Sequence, residues 1–167
     1  MYDIVDAKRE HFPAIKALFI KELSKEDIPA WSTEEDDYPI CMLPEDEGHS
    51  LLMLDKDGNA VAYAAYHGEF EEVEALPWKC KGKPVYFHRL LVDRNQRGKG
   101  LARRMLEALV AKSKQLGYEC YRFVVYPENK NAIAVYEKLG LNCLGAVKSP
   151  WEEYGDGGIV LLYEILI

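Results

Sequence analysis

Basic side chains and glycines are crowded together in the stretch DRNQRGKGLARRML, residues 93–106. Five basic residues fall within eleven positions of a chain whose formal net charge is −7; they are Arg94, Arg97, Lys99, Arg103 and Arg104. A protein that is acidic overall repels nucleic acid, so a local cationic cluster indicates a small anionic ligand bound at one place. By charge alone, a solvated helix start with incidental charges would look the same.

The elements on either side of this stretch make phosphate the most suitable anion. The apolar run VYFHRLLV, residues 85–92, predicts a buried strand, and apolar residues recur at helical spacing from Leu101 to Leu116. The first amides of a helix lack intrahelical partners and lie at the positive end of its dipole, an arrangement that binds phosphate. Gly98 and Gly100 let the backbone approach such a ligand without a Cβ in the way.

Two common phosphate-binding motifs do not match. Lys99 is followed by Gly100 rather than by Ser or Thr, and no earlier glycine stands at P-loop spacing, which argues against a Walker-type NTPase. Arg103 occupies the place of the third glycine of a dinucleotide fingerprint. A GxG pattern alone is weak, so the rest of the chain has to supply the context.

Composition predicts one globular protein that stays in the cytoplasm. A length of 167 residues favours a single domain over residues 1–167. There is no apolar run near the roughly 20 residues of a membrane span and no signal-peptide plan at the start. The four cysteines form no CxxC pair, so we expect neither a metal site nor a disulfide framework but reduced, mostly core thiols.

Hydrophobic periodicity predicts a mixed α/β sheet around the glycine-rich stretch. A first strand and an amphipathic helix are expected to about residue 24, followed by a short helix or loop over residues 25–46. The turn Asp57-Gly58 predicts a hairpin, and a Glu-rich insert at 68–84 either lengthens a strand or forms a loop. Further segments are predicted as a helix ending at Gly117, a strand at 118–126, a helix at 131–139 and two strands at 141–147 and 158–167.

Two motifs resemble those of the GCN5-related N-acetyltransferase (GNAT) family. In LLVDRNQRGKGLARRML, Arg97, Gly100 and Ala102 fill the family's acyl-CoA signature of Arg or Gln, two residues, Gly, one residue, then Gly or Ala. NKNAIAVYEKLGL, residues 129–141, is similar to the family's segment of an Asn, a small-residue helix, a Tyr and a Lys-Leu-Gly ending. The resemblance implies a central mixed, mostly antiparallel sheet with splayed middle strands and helices on both faces.

The resemblance also implies acetyl-CoA (coenzyme A) as cofactor. Its pyrophosphate would be held by the backbone amides of six consecutive residues: Arg97, Gly98, Lys99, Gly100, Leu101 and Ala102. In the family the splayed strand is bulged, and its amides contact the pantetheine arm; the matching positions are Leu90 and Val92. Asn129 matches a cofactor-binding Asn, although an Asn at that place could simply cap a helix.

For catalysis the resemblance implies that Tyr136 protonates the departing thiolate. An alkyl ammonium has a pKa of about 10.4 and must lose a proton before it attacks a thioester. His88 is our first candidate for the base, because an unperturbed histidine has a pKa of about 6.5 and the similar serotonin N-acetyltransferase has a histidine in its proton path. Glu69, Glu71, Glu72 or the acidic run at 34–37 could serve instead through water.

The acceptor is predicted to be an amine of a small molecule. Trp31, Tyr38, Trp78 and the acidic run at 34–37 would favour a cationic amine through charge and cation–π contact. A peptide or protein amine, a non-catalytic acyl-CoA sensor and a nucleotide-binding regulator remain alternatives. We expect no nucleic-acid or membrane partner, and the apolar final strand could pair inside the sheet or across a homodimer.

Overall fold

A computed structural model describes residues 2–23, 49–151 and 158–167, and the side chains of His49 and His88 lie outside that description. The chain divides into two compact units, the first comprising residues 1–67 and 87–109 and the second residues 68–86 and 110–167. One strand and one helix run through both units. That the whole chain is a single domain stays a prediction.

The described residues of the first unit form four strands in the order β1-β2-β3-β4. They are β1 (Tyr2–Asp6), β2 (His49–Asp55), β3 (Ala60–His67) and the later part of β4 (Pro84–Val92). The helices are a 3₁₀ turn (Arg9–His11), α1 (Phe12–Leu23), a second 3₁₀ turn (Arg94–Gln96) and the first part of α3 (Leu101–Gln115). β1 pairs antiparallel with β2, and β2 antiparallel with β3.

The hairpin between β2 and β3 forms where the sequence predicts it. Gly58 has a φ of +82°, a left-handed conformation that favours glycine. The Asp55 side chain accepts hydrogen bonds from the amides of Asp57 and Asn59, both at 2.9 Å. The turn is therefore fixed by local hydrogen bonds as well as by its glycine.

The core of the first unit lies between α1 and the sheet. Ile15, Leu18 and Phe19 of α1 pack in one buried cluster with Tyr63 and Leu91. The Phe19 and Tyr63 rings meet edge to face, with their centroids 5.4 Å apart. The predicted amphipathic helix thus packs against strands β2, β3 and β4.

The second unit holds strands in the order β4-β5-β7-β6. Its elements are α2 (Glu71–Glu74), the start of β4, the end of α3, β5 (Cys120–Val125), α4 (Lys130–Lys138), β6 (Cys143–Lys148) and β7 (Ile159–Leu166). The pairing of β4 with β5 is parallel and runs from Pro84 opposite Cys120 to Tyr86 opposite Arg122. The predicted fold class, a mixed and mostly antiparallel sheet with helices, is confirmed.

The final strand lies inside the sheet. β7 pairs antiparallel with β5 along one edge and with β6 along the other. The alternative that the last strand pairs inside the sheet is therefore confirmed, and pairing across a homodimer stays a prediction.

The Glu-rich insert does not lengthen a strand; it is a loop with one short helix. It contains α2, followed by Trp78, which is 4% exposed and donates from Nε1 to the Val73 carbonyl at 2.7 Å. Arg122 of β5 donates to Glu164 Oε1 at 3.0 Å and to the Cys80 carbonyl at 2.6 Å, and its guanidinium lies over the Trp78 ring. This buried ion pair ties the insert to β5 and β7.

Three cysteines lie in the described part of the chain, and all are free thiols. Cys120 is buried, Cys80 half-buried and Cys143 exposed, so the expectation of mostly core thiols holds fully for Cys120 alone. Cys41 lies outside the described residues. No helix within the described ranges is long and apolar enough to cross a membrane.

Candidate active site

The connection between β4 and α3 has the backbone shape that a phosphate-binding turn needs. Gly98 and Gly100 have φ values of +79° and +75°, which L side chains rarely adopt. A Cβ built on either glycine would meet no atom of the described residues within 4 Å. α3 is anchored beneath the turn by Leu101 and Met105, which are 2% and 0% exposed. The turn itself therefore stands open on a rigid helix.

Consecutive backbone amides in this turn are free to bind a ligand. Within the described part of the chain, the amides from Gly98 to Arg103 make no hydrogen bond, and the first engaged one is Arg104 N, which donates to Gly100 O at 3.1 Å. They include Lys99, Leu101 and Ala102. Unpartnered amides at the positive end of a helix dipole form an anion site.

Arg97 departs from the pattern expected of it. Its amide donates to the Arg94 carbonyl at 3.3 Å and so closes the 3₁₀ turn. Its guanidinium donates to the Val92 carbonyl at 3.4 Å and to Glu22 Oε2 at 3.2 Å. The free amides thus begin at Gly98, one residue later than the sequence predicts.

The charges around the turn are partly balanced within the protein. Lys99 donates to the neutral Gln96 side chain at 2.6 Å, while Arg103 is paired with Glu107 at 2.8 Å. Among the described residues, the turn and its neighbours carry six basic groups and three carboxylates; these are Lys21, Arg94, Arg97, Lys99, Arg103 and Arg104 against Glu22, Asp93 and Glu107. Within that part of the structure, basic groups therefore outnumber carboxylates at the turn, in a chain whose net charge is −7.

Glu22, near the end of α1, is a site residue that the sequence analysis did not single out. Its side chain is 0% exposed and contacts both Arg94 and Arg97. Next to it, Lys21 pairs with Asp93, whose own amide donates to the Val61 carbonyl at 2.9 Å. A signal was present, because Glu22 falls seven residues after Ile15 on the apolar face of α1.

β4 carries a local backbone distortion next to the predicted contact positions. Arg89 has a φ of +51°, a left-handed conformation unusual for a non-glycine residue. Leu91 is 2% exposed and belongs to the core, whereas Leu90 and Val92 on either side of it are half-buried. Such strain persists only where the surrounding structure enforces it, and it is common at functional sites.

The second unit presents Asn129 and Tyr136 on one helix. Asn129 caps α4, because its Oδ1 accepts a hydrogen bond from the Ala132 amide at 3.1 Å. The alternative that this residue caps a helix is therefore correct for its side-chain oxygen. Its Nδ2 has no partner within the described residues. A donor thus remains for a ligand, and the predicted cofactor contact stays a prediction.

Tyr136 lies in an aromatic cluster with Phe123 of β5 and Tyr163 of β7. Its ring centroid is 4.7 Å from that of Phe123 and 5.4 Å from that of Tyr163. Burial, together with the neighbouring Tyr163, raises the pKa of Tyr136 well above its ordinary value of 10. The hydroxyl therefore stays protonated at neutral pH and makes no hydrogen bond within the described part.

The candidates for the base are placed less fully. His88 lies in β4, but its side chain is outside the described residues, as are Trp31, Tyr38 and the acidic run at 34–37. The alternative carboxylates Glu69, Glu71 and Glu72 are exposed on and beside α2. The turn with Leu90 and Val92 belongs to the first unit, and Asn129 and Tyr136 to the second.

Comparison with known families and proteins agrees with these features. The model of the Acetyltransferase (GNAT) family matches residues 14–141. A probable spermine N(1)-acetyltransferase of Bacillus subtilis subsp. natto is 32% identical over 110 residues, which cover 64% of this chain and 69% of the relative.

Solved structures agree on the fold. A GCN5-related N-acetyltransferase from Kribbella flavida has a TM-score of 0.74 at 18% identity, covering 99% of this chain and 98% of that one. Arabidopsis thaliana NAA60 in complex with acetyl-CoA has a TM-score of 0.73 at 15% identity, covering 100% and 99%. At these identities the likeness concerns the fold alone.

Proposed function

The chain belongs to the GNAT family of acetyltransferases, and on that premise we propose that it transfers the acetyl group of acetyl-CoA to an amine of a small cationic molecule. The observation that carries the donor half is the run of free amides from Gly98 to Ala102. The acceptor half is supported by the spermine N(1)-acetyltransferase relative. Each half has its own test.

We propose that the diphosphate of acetyl-CoA binds at the turn before α3. Amides of Gly98 to Ala102 would donate to its oxygens, and the excess positive charge around the turn would offset its charge. Leu90, Val92 and the Nδ2 of Asn129 are proposed to contact other parts of the cofactor. The exposed Lys99 can approach the phosphates without breaking an internal ion pair.

In the reaction the amine nitrogen bonds to the carbonyl carbon, the carbon–sulfur bond breaks, and the electron pair leaves with sulfur. The thiolate then needs a proton, and the amine must lose one. We propose that the Tyr136 hydroxyl donates a hydrogen bond to the departing sulfur. With ordinary pKa values of about 10 for a phenol and about 8.5 for a thiol, full proton transfer is uphill by about 2 kcal/mol, and the raised pKa of Tyr136 increases that gap. Tyr136 is therefore proposed to stabilise the thiolate mainly by donating a hydrogen bond to it.

His88 is proposed to accept the amine proton, directly or through water. A histidine near its unperturbed pKa of about 6.5 suits proton uptake at neutral pH. Its replacement by Gln should remove the acidic limb of the rate profile against pH, while Glu69→Gln should leave that limb in place. A profile changed by Glu69→Gln alone would transfer the role to the carboxylate.

A cationic acceptor fits the charge of the insert. Glu71, Glu72 and Glu74 of α2 are exposed, as is Glu69 just before it, whereas Val73 of α2 is 1% exposed and packs in the core. Four outward carboxylates within six residues attract a polyamine more strongly than a neutral amine. This attraction is screened by salt, so KM for a polyamine should rise with ionic strength.

The direct test is release of free thiol from acetyl-CoA with a panel of acceptors. Spermine, spermidine and an arylalkylamine represent cationic small molecules, and amino acids and a short peptide represent the alternatives. Thiol release with the polyamines supports the proposal. Turnover with the peptide alone would favour a peptide acetyltransferase, and binding of acetyl-CoA without any thiol release would favour a sensor.

A further inference from the structure

Helix α1 buries a carboxylate that has no role in the hydrophobic core. Glu22 lies on the same face as Ile15 and Phe19, and its side chain is 0% exposed. Burying a carboxylate is unfavourable unless cations and hydrogen-bond donors compensate it. Its partners therefore show what it does for the protein.

Within residues 2–23, 49–151 and 158–167, the partners of the Glu22 carboxylate belong to the turn that precedes the free amides. Its Oε1 accepts from the Arg94 amide at 3.2 Å, and its Oε2 lies 3.4 Å from Arg94 Nε and 3.2 Å from Arg97 Nη2. The Glu22 carbonyl also accepts from Arg94 Nη2 at 3.4 Å. One carboxylate thus holds both the start and the end of the 3₁₀ turn.

Holding Arg97 has a direct consequence for the next residue. Gly98, with its left-handed φ of +79°, follows immediately, so the direction of its amide depends on where Arg97 is fixed. The Arg97 guanidinium is also directed to Glu22 and the Val92 carbonyl. An arginine left without Glu22 would be drawn to a bound phosphate and would compete with the backbone amides for its oxygens.

We propose that Glu22 is a positioning residue that presets the phosphate-binding turn through Arg94 and Arg97, so that the amides from Gly98 onward meet the diphosphate already aligned. This inference rests on the proposed function. Glu22 touches neither cofactor nor acceptor, and its effect is confined to donors that carry the diphosphate.

The test compares two acyl donors in the full-length protein. Replacing Glu22 with Gln keeps the side-chain shape and removes the charge, and KM for acetyl-CoA is expected to rise about tenfold, as for a lost charge-assisted hydrogen bond, with kcat little changed. For S-acetylpantetheine, which lacks the diphosphate, kcat/KM should equal that of the wild type. Glu22→Asp should recover part of the loss. Asp57→Asn removes an exposed, ion-paired carboxylate from the β2–β3 hairpin and should change KM less than about twofold.

A second variant breaks the ion pair between Glu22 and Arg97 at the exposed partner. Arg97, 42% exposed, can be replaced with Gln without opening the core, and its KM for acetyl-CoA should also rise. The double variant E22Q/R97Q should be no worse than E22Q, because both substitutions break one interaction. Arg97→Gln by itself gives a result even where Glu22→Gln lowers the yield of folded protein.

The outcomes separate the two proposals. An unchanged KM for acetyl-CoA in E22Q, or an equal loss with both donors, overturns the positioning role while the proposed function stands. A wild-type chain that does not bind coenzyme A overturns the function and the inference with it. The inference is supported if Glu22→Gln weakens the reaction with acetyl-CoA alone and if its effect on KM is non-additive with that of Arg97→Gln.

Discussion

Replacing Gly100 with Ala separates backbone strain from ligand binding. At a φ of +75°, an L residue costs about 1–2 kcal/mol, and the lower entropy of the unfolded chain returns about 0.4–1 kcal/mol. No steric term is added, because a Cβ there meets nothing within 4 Å. The net loss of stability is about 1 kcal/mol, or about 2–4 °C in Tm for a protein of 167 residues.

Gly58 offers a matched control in the β2–β3 hairpin. Its φ is +82°, and a Cβ there also meets nothing within 4 Å, so Gly58→Ala should lower Tm by the same few degrees. Only the methyl group at Gly100 would stand where the diphosphate is proposed to approach the amides. Kd for coenzyme A should therefore rise at least about tenfold in Gly100→Ala, equivalent to about 1.4 kcal/mol, and stay unchanged in Gly58→Ala.

Thermal unfolding followed by circular dichroism gives Tm for both variants, and titration calorimetry with coenzyme A gives Kd. We expect both variants to lose the same amount of Tm and only Gly100→Ala to lose affinity for coenzyme A. The reasoning is refuted if Gly100→Ala binds coenzyme A as tightly as the wild type, or if Gly58→Ala weakens binding equally.

Three further predictions concern the second unit. Asn129→Asp keeps the cap of α4 and loses the Nδ2 donor, so it should keep Tm but raise Kd for coenzyme A. Asn129→Ser, which also caps a helix, should have the same effect. If calorimetry shows unchanged affinity in both variants, Asn129 serves only as a helix cap. Tyr136→Phe should lower kcat for thiol release about a hundredfold with KM for acetyl-CoA within about twofold, and an unchanged kcat would remove Tyr136 from the reaction. Burial raises the pKa of Cys120 to about 12 from 9, so between these pH values the folded state retains the thiol proton while the unfolded state loses it. The contribution of this thiol to the free energy of unfolding is therefore fully present below pH 9 and is lost as the pH rises toward 12. At pH 9, iodoacetamide should label the exposed Cys143 and spare Cys120, as mass spectrometry of peptides can show, and equal labelling of the folded protein would contradict this shift.

Much of the fold was predictable because its signals are local. The Asp57-Gly58 hairpin, the helix that ends before Gly117 and the left-handed glycines of the turn each follow from residues close in sequence, and the structure contains all three. The position of β7 between β5 and β6 depends on pairing between distant segments, which alternation of apolar residues does not specify. The sequence therefore left open whether the last strand pairs within the chain or outside it.

Charged residues within apolar strands and helices were not identified as structural partners by hydrophobic periodicity alone. Arg122 stands in the run YRFVVY and Glu164 in LLYEIL, and the two lie opposite each other in the register of β5 and β7. Glu22 stands in the same way on the apolar face of α1. A charged residue at a buried position requires a buried partner, and in each case the partner is far away in sequence, so that only the folded chain identifies it.

The most direct measurement of the central claim is the amide spectrum of ¹⁵N-labelled protein during titration with coenzyme A. If the turn holds the diphosphate, the amide protons from Gly98 to Ala102 should move downfield together and saturate at the Kd found by calorimetry, while pantetheine without phosphate leaves them in place. Saturable binding of coenzyme A with these five amides unmoved would contradict the claim.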